Sequence, residues 1–344
     1  MGVAIVDLLK PKEISFNDLK GKIVAVDAFN MLYQFLTTIR QADGTPLKDS
    51  KGNITSHLIG LFSRTTNLMS KGIKIVFVFD GEVPELKRSE RERRETLKEE
   101  ALKEYEIAKE REDIAAMKKY ASRTTKLTPD MVDEAKALIK ALGLPIIQAP
   151  GEGEAQAAYM VKKGNIFALV TQDIDGLMFG APRLVRNLNI TRKRKSHNKL
   201  AYQTVKPELI VLSETLNELG IDHEQLIVLG MLVGTDYNIG GIKGIGPKKA
   251  LDLVKKFGSN FDALFEEVKW NKYFEYSWKD VFNLFKNAKV TDDYELKWNE
   301  PDENKIIEIL VNKHEFSIER VENTIKKFIK SKEERKQKAL NDFF

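Results

Sequence analysis

The chain has 344 residues, 42% of them apolar and 31% charged, and contains no cysteine. That length predicts about two domains, or one large α/β body with appendages. The composition excludes disulfides, thiolate zinc sites, Fe–S clusters and a cysteine nucleophile, and no stretch approaches the ~18 apolar residues of a spanning helix. The N-terminus, MGVAIVDLLKPKE, has no basic leader, and Asp7 breaks its only apolar run. A signal peptide is therefore not expected. Nor is a myristoyl group at Gly2, because Val6 stands where that signal wants Ser or Thr. The expectation is an intracellular protein with no membrane partner. Histidines are scattered at 57, 197, 223 and 314, so any metal is expected on oxygen ligands. Net charge is 56 − 51 = +5, but it is unevenly spread. Residues 176–207 carry eight Lys/Arg and no acid, and 326–338 carry seven Lys/Arg against Glu333 and Glu334. Local basic surfaces on a nearly balanced chain predict a polyanion partner.

In chain order, the β-branched run 22–26 (KIVAV) ends at Asp27, and 73–79 (IKIVFVF) ends at Asp80. The run 166–170 (IFALV) stops shortly before Asp173, with weaker strand candidates at 145–148 and 184–188. Nearly continuous apolar runs of this kind fit parallel strands buried on both faces. Helical patterns lie between them, at 31–40, 56–71, 131–142 and 153–163. The alternation predicts an α/β protein with a central, mostly parallel sheet flanked by helices. Residues 87–126 differ, with 13 Lys/Arg and 10 Asp/Glu in 40 positions. They predict a charged helical excursion from the sheet, with few apolar anchors. Past about Pro207 the strand signal ends and the chain reads as helical.

Seven acids fall where such a sheet builds its site: Asp27, Asp80, Glu152, Glu154, Asp173, Asp175 and Asp236. Open α/β sheets bind ligands at the carboxyl ends of their strands. In an extended segment the i, i+2 spacing points Asp173 and Asp175 the same way, while Glu152 and Glu154 would open a helix whose first N–H groups are free. Seven converging carboxylates repel one another and need cations. Oxygen-only ligands select Mg²⁺, with Mn²⁺ as a substitute, and so many acids imply two ions, the arrangement that clamps both oxygens in phosphoryl transfer. In GGIKGIGPKKAL, Gly244 and Gly246 form a tight turn, Pro247 starts a helix, and Lys248 and Lys249 follow. Backbone N–H groups at such a turn suit a phosphate, as in a helix-hairpin-helix. Lys87 and Arg94, two helical turns apart, share a face. At the C-terminus, Gln337, Leu340, Phe343 and Phe344 would form an apolar plug on a basic tail, a partner site.

With these residues assembled, the chain resembles the archaeal and eukaryotic flap endonucleases of the 5′ structure-specific nuclease family. The likeness runs through VDAFNMLYQFL, TSHLIGLFSRT, VFDG, PGEGEAQAA, QDIDGLMFG, GTDY, GIKGIGPKKA and QKALNDFF, as well as the initial MG. It implies a PIN/5′-nuclease-like fold with a helical cap and a helix-hairpin-helix DNA-binding module. It implies that the seven acids hold two Mg²⁺ ions, with Glu152 and Asp236 also against the DNA. Lys87 and Arg94 would act from the cap over the cleft, and Tyr33 would stack on a base beside the cut. Arg40, Thr55 and Arg64 would contact DNA. The hairpin from Gly234 through Lys249 would hold the downstream duplex with a K⁺, and the tail would bind the sliding clamp (PCNA).

The expected layout is a nuclease region at 1–98, a cap at 99–128, and an internal nuclease region at 116–258 with the hairpin at about 234–256. A helical region at 259–330 and a flexible tail at 331–344 complete it. The implied activity is Mg²⁺-dependent cleavage of 5′ flaps on branched DNA, with 5′–3′ exonuclease activity, in Okazaki fragment maturation and long-patch base excision repair. The enzyme would be a monomer on its own, in the cytoplasm or nucleoid of an archaeon or the nucleus of a eukaryote. The alternatives are a junction or excision-repair relative, a Mg²⁺-dependent phosphatase, and a non-catalytic DNA scaffold. A phosphatase has no use for the hairpin or the clamp motif, and a scaffold has no use for seven intact acids.

Overall fold

A computed structural model describes residues 3–341 except 83, 112, 122, 189–192 and 196–201. Its main sheet is built from β1 (Lys12–Glu13), β2 (Ile23–Asp27), β3 (Lys74–Phe79), β4 (Ile146–Gln148), β5 (Ala168–Val170), β6 (Arg183–Arg186) and β9 (Glu208–Val211). A separate antiparallel pair joins β7 (Lys193–Lys195) to β8 (Tyr202–Thr204). The strand order is β1-β9-β6-β5-β2-β3-β4. The stretch from β6 to β4 is parallel, and β9 and β1 add antiparallel pairs at one edge. The chain runs from β2 through β3 to β4 on one side, then crosses to β5 and β6 on the other. Such a reversal opens a crevice at the strand ends, and it lies beside β2.

The alternation of side chains along each strand feeds two cores. In β2 and β3, Ala25, Val76 and Val78 face one core, while Val24, Val26, Ile75, Phe77 and Phe79 face the other. Both sets are buried, which is why these strands read as unbroken apolar runs. The second core is covered by α1 (Ala28–Thr38), α2 (Ser56–Ser70), α5 (Pro129–Ala141), α13 (Glu303–Ile307) and α14 (Ile318–Asn341). The first is covered by α6 (Gly153–Lys162), α7 (Asp175–Met178), α9 (His223–Val233), α10 (Pro247–Phe257), α11 (Phe261–Glu267) and α12 (Trp278–Lys286). The helix α8 (Leu212–Leu219) follows β9, and α3 (Arg88–Glu110) and α4 (Ile114–Ala121) form a hairpin that leaves the sheet after β3.

Three expectations change here. The strand signal does not end at Pro207, because β9 pairs antiparallel with β6; a four-residue strand with half-exposed faces is too short to show a pattern. The excursion opens with one unbroken helix, α3 from Arg88 to Glu110, before α4, so a cap boundary at residue 99 falls inside a helix. Its anchors are small: Ala101, Ala108 and Ala121 are buried, while Leu97, Leu102 and Ile107 are exposed. Finally, α14 continues to Asn341 where a tail without structure was expected. Val321, Ile325 and Phe328 seat the helix in the core. The Lys, Glu, Arg, Gln and Ala residues beyond are strong helix formers that propagate from a packed start.

Candidate active site

Asp27 ends β2 and caps α1, its Oδ1 accepting the Asn30 N–H at 2.9 Å. Asp80 follows β3 directly, and its Oδ1 accepts the Gly153 N–H at 2.7 Å. That approach explains the glycine, since a Cβ at residue 153 would stand 2.8 Å from Asp80 Oδ1. Glu152 is the N-cap of α6 and Glu154 lies in its first turn. The sequence places Asp173 and Asp175 on one extended segment, but the structure does not. The strand β5 stops at Val170, Asp173 sits in a bend, and Asp175 opens α7. Asp173 still lies close enough to Asp175 in the cleft to raise its pKa. Asp236 follows the C-terminus of α9 in a loop fixed by Asn238. The Asn238 side chain donates to Met231 O at 2.7 Å and accepts from Thr235 Oγ1 at 2.7 Å.

The seven acids thus come from five separate segments into one connected cluster. Burial, then Asp80 and Asp173, push the Asp27 carboxyl up to about 8 against the opposing Asn30 N–H and Lys87. Burial, with Asp236 and Asp173, raises Asp175 to about 7. Glu154 is held well above its usual range by burial and by Asp27, Asp175 and Asp173. Asp80 is raised by burial and Glu152. Carboxylates this crowded cannot all ionise without positive charge. The protein supplies part of it. Lys87 Nζ lies 2.8 Å from Glu152 Oε1 and 3.5 Å from Asp236 Oδ2, and Arg94 donates to Asp236 Oδ1 at 2.8 Å. Burial opposes the charge on Lys87, but Glu152 and Asp236 outweigh it and raise its pKa.

The donor set fits hard divalent cations: it is all oxygen, buried and short of positive charge. Among the described residues no three His, Asp or Glu side chains already close on one point as a finished shell. The cleft is instead held by Asn30, Thr171, Gly153, Val3, Lys87 and Arg94.

The structure adds residues that the sequence reading passed over. Glu90 is buried and takes two bonds from Arg93 and one from Arg94 Nε at 2.6 Å, so it aims Arg94 at the cleft. Tyr237 lies beneath Lys87, with Nζ 5.9 Å from its ring centre. Thr171 and Asn30 each join two of the acids. The only sequence signal for them is a polar residue breaking an apolar context.

The other expected contacts divide. Tyr33 is exposed on α1, with Lys98 Nζ 5.4 Å from its ring centre. Arg40 is tied to Gly44 O, Ala121 O and the Thr125 hydroxyl, so it fastens the end of α1 to the return of the cap. Thr55 is the N-cap of α2 and is 3% exposed. Arg64 is half-buried, and burial lowers its pKa. Gln337 and Leu340 lie on the last turns of α14, while Phe343, Phe344 and the initial Met1 and Gly2 lie outside the described residues, as does much of the basic segment 176–207.

Beside the cleft, α9 and α10 flank the glycine turn. Gly234 has φ +114°, and a Cβ there would stand 2.7 Å from Gly241 N, so the two ends of the turn can close only on glycine. Gly246 caps α10, Pro247 is its first residue, and Lys248 and Lys249 are exposed. A Cβ at Gly244 or Gly246 would meet nothing within 4 Å, so the turn's backbone is open to a partner. Lys248→Ala with Lys249→Ala is expected to weaken binding of all duplexes alike. It should also lower the log–log salt slope by about 0.9 for each phosphate that the variant no longer neutralises. Binding isotherms across a salt series measure this, and an unchanged slope would remove the two lysines from the interface.

A parallel sheet with acids at its strand ends, a helical cap above them and a helix-hairpin-helix beside them defines the 5′-nuclease class of phosphodiesterases. The comparisons agree with that class. Residues 1–101 match the XPG N-terminal domain and residues 143–236 the XPG I-region. The chain is 53% identical over 344 residues to flap endonuclease 1 of Thermococcus onnurineus, covering 100% of this chain and 99% of the relative. The solved flap endonuclease-1 of Methanococcus jannaschii is similar at 44% identity with a TM-score of 0.76, covering 96% and 98% of the two chains. The catalytic core of Rad2 in complex with a DNA substrate is similar at 25% identity with a TM-score of 0.67, over 94% and 97%. The chain belongs to the flap endonuclease 1 family, as the resemblance in its sequence implied.

Proposed function

We propose that this enzyme removes 5′ flaps from branched duplex DNA by phosphodiester hydrolysis, with an accompanying 5′–3′ exonuclease activity. It is a structure-specific 5′ nuclease, and nucleases of this family are metal-dependent, generally on Mg²⁺. The observation that supports the mechanism is the gathering of seven acids from the ends of β2 and β3, the start of α6, the segment from β5 into α7 and the loop after α9, under two cap cations. In our reading Asp27, Asp80, Glu152, Glu154, Asp173, Asp175 and Asp236 hold two Mg²⁺ ions. When bound, such ions activate water at neutral pH and offset charge on the leaving oxygen. The chain's own residues do the rest. Lys87 and Arg94 bind the scissile phosphate, Tyr33 stacks on the adjoining base, and the hairpin holds the duplex by its backbone, so that shape rather than base sequence is read.

The open backbone at Gly244 and Gly246 leaves room for a K⁺ between the turn and a phosphate. Okazaki fragment maturation and long-patch base excision repair are the settings such an activity serves. We read residues 88–121 as the cap and 234–257 as the DNA module. No helix among the described residues is long and apolar enough to cross a membrane.

Cleavage of flap, nicked and single-stranded DNA, with and without Mg²⁺, tests the reading. Preferred cutting of the flap in Mg²⁺ is expected. Equal cutting of a small phosphoester would favour the phosphatase, and binding without cutting the scaffold.

Gln337, Leu340, Phe343 and Phe344 are proposed to bind the sliding clamp. Deleting 337–344 is expected to leave intrinsic cleavage unchanged and abolish stimulation by the clamp, which acts by raising the local concentration of enzyme on DNA. Clamp affinity and intrinsic rate of full-length and truncated enzyme measure this. Undiminished clamp affinity in the truncated form would overturn the assignment.

A further inference from the structure

Two of the seven acids, Glu152 and Asp236, are paired with cap cations, whereas Asp27, Asp173 and Glu154 are held by neutral groups. The Thr171 hydroxyl donates to Glu154 Oε1 at 2.6 Å and accepts the Asp173 N–H at 3.1 Å. Asn30 donates its backbone N–H to Asp27 Oδ1 and its side-chain amide to Asp173 Oδ2, both at 2.9 Å. The result is a continuous frame, Glu154–Thr171–Asp173–Asn30–Asp27, that joins the start of α6, the bend after β5 and the end of β2. A hydroxyl can donate and accept at once, so one Thr side chain ties the Glu154 carboxylate to the Asp173 backbone. Thr171 is 3% exposed and Glu154 8%, so water is a poor substitute for this contact.

From this geometry we infer that Thr171 and Asn30 are positioning residues, which set three metal-binding carboxylates at fixed separations before any cation arrives. Neutral donors suit that task. They hold like-charged carboxylates together without competing as cations for the ion, whereas Lys87 and Arg94 compete for Glu152 and Asp236. Asn inside the first turn of a helix is also a poor helix former, and its contact with Asp173, 143 residues away, gives a reason for it there. The inference rests on the reading of the acids as metal ligands.

The test is a titration of the DNA-free protein with Mn²⁺ alone, followed by electron paramagnetic resonance, together with melting in EDTA. Thr171→Val removes the hydroxyl and is expected to weaken Mn²⁺ affinity by about tenfold or more, the range typical of losing a group that orients a ligand. Thr171→Ser restores the hydroxyl and is expected to bind within about twofold of wild type. If Thr171→Val binds as wild type does, or Thr171→Ser is as weak as Thr171→Val, the positioning role is overturned. Should Thr171→Val not fold, Asn30→Leu at the half-exposed end of the frame decides: a tenfold loss supports the proposal and undiminished affinity overturns it. Failure of the wild type itself to bind Mn²⁺ would instead overturn the metal reading on which the proposal stands.

Discussion

Asp175→Ala abolishes flap cleavage and leaves duplex binding in place: that is the expected result with the largest effect. Asp175 is 8% exposed and opens α7, with its Oδ1 fixed by the Val3 N–H at 2.9 Å. Asp236, Asp173 and Glu154 all lie within its electrostatic reach. It therefore links the acids that follow α9 to those after β5 and on α6. Losing such a residue should exceed the roughly 10–100-fold loss typical of removing an outer partner of a ligand. Affinity for duplex is proposed to rest elsewhere, on the exposed Lys248 and Lys249 and the open turn before them. Cleavage rates beside a binding isotherm, both in Mg²⁺, measure the two effects. Near wild-type cleavage would take Asp175 out of the site.

The same residue predicts a stability effect of known sign. Burial first, then Asp236 and Asp173, raise its folded pKa to about 7 from an ordinary 3.8. A raised carboxyl binds its proton more tightly when folded, so its contribution is favourable below pH 3.8 and is lost as pH rises towards 7. In EDTA at pH 8, Asp175→Asn keeps an oxygen for the Val3 N–H but removes the charge, and should melt above wild type. Added Mg²⁺ should narrow or reverse that difference, because wild type alone regains its ligand set.

The acids were legible because a strand buried on both faces must be apolar, so the first acid after it marks the rim of the sheet. Asp27 and Asp80 show this most plainly. What holds those acids was not legible. Asn30 meets Asp173 across 143 residues, Arg94 meets Asp236 across 142, and Val3 meets Asp175 across 172. No local spacing encodes such pairs. Glu90 looked like one charge among many on a solvated helix, yet it is 3% exposed beneath two arginines. The cap helix shows few large apolar anchors in its sequence because its buried contacts are made by alanines. Arg40 and Thr55 were placed at the DNA by family likeness; in the fold one is fastened to Ala121 and Thr125 and the other is buried. The edge strand β1 and its neighbour β9 are too short, and too exposed, to carry a period.

Lys87→Ala and Arg94→Ala should each slow the chemical step by on the order of a hundredfold or more, while DNA affinity changes little. Lys87 is the N-cap of α3 and Arg94 lies in the second turn of that helix, and the structure brings both to Asp236. Without substrate they stand in for missing positive charge, Lys87 on Glu152 and Arg94 on Asp236. When cations and a phosphodiester enter the cleft, those carboxylates no longer need them. In the proposed mechanism the freed Nζ and guanidinium would then bind the phosphate oxygens on which negative charge develops. Donors aimed at developing charge act on the transition state more than on the bound ground state, and removing one typically costs about 10²–10³ in rate. Arg94 has a further requirement, since Glu90 holds its Nε at 2.6 Å. Glu90→Gln should therefore reproduce part of the Arg94→Ala defect with Arg94 still present. Single-turnover rates at saturating enzyme separate chemistry from binding. A defect confined to affinity would reduce both cations to ordinary contacts with the DNA backbone.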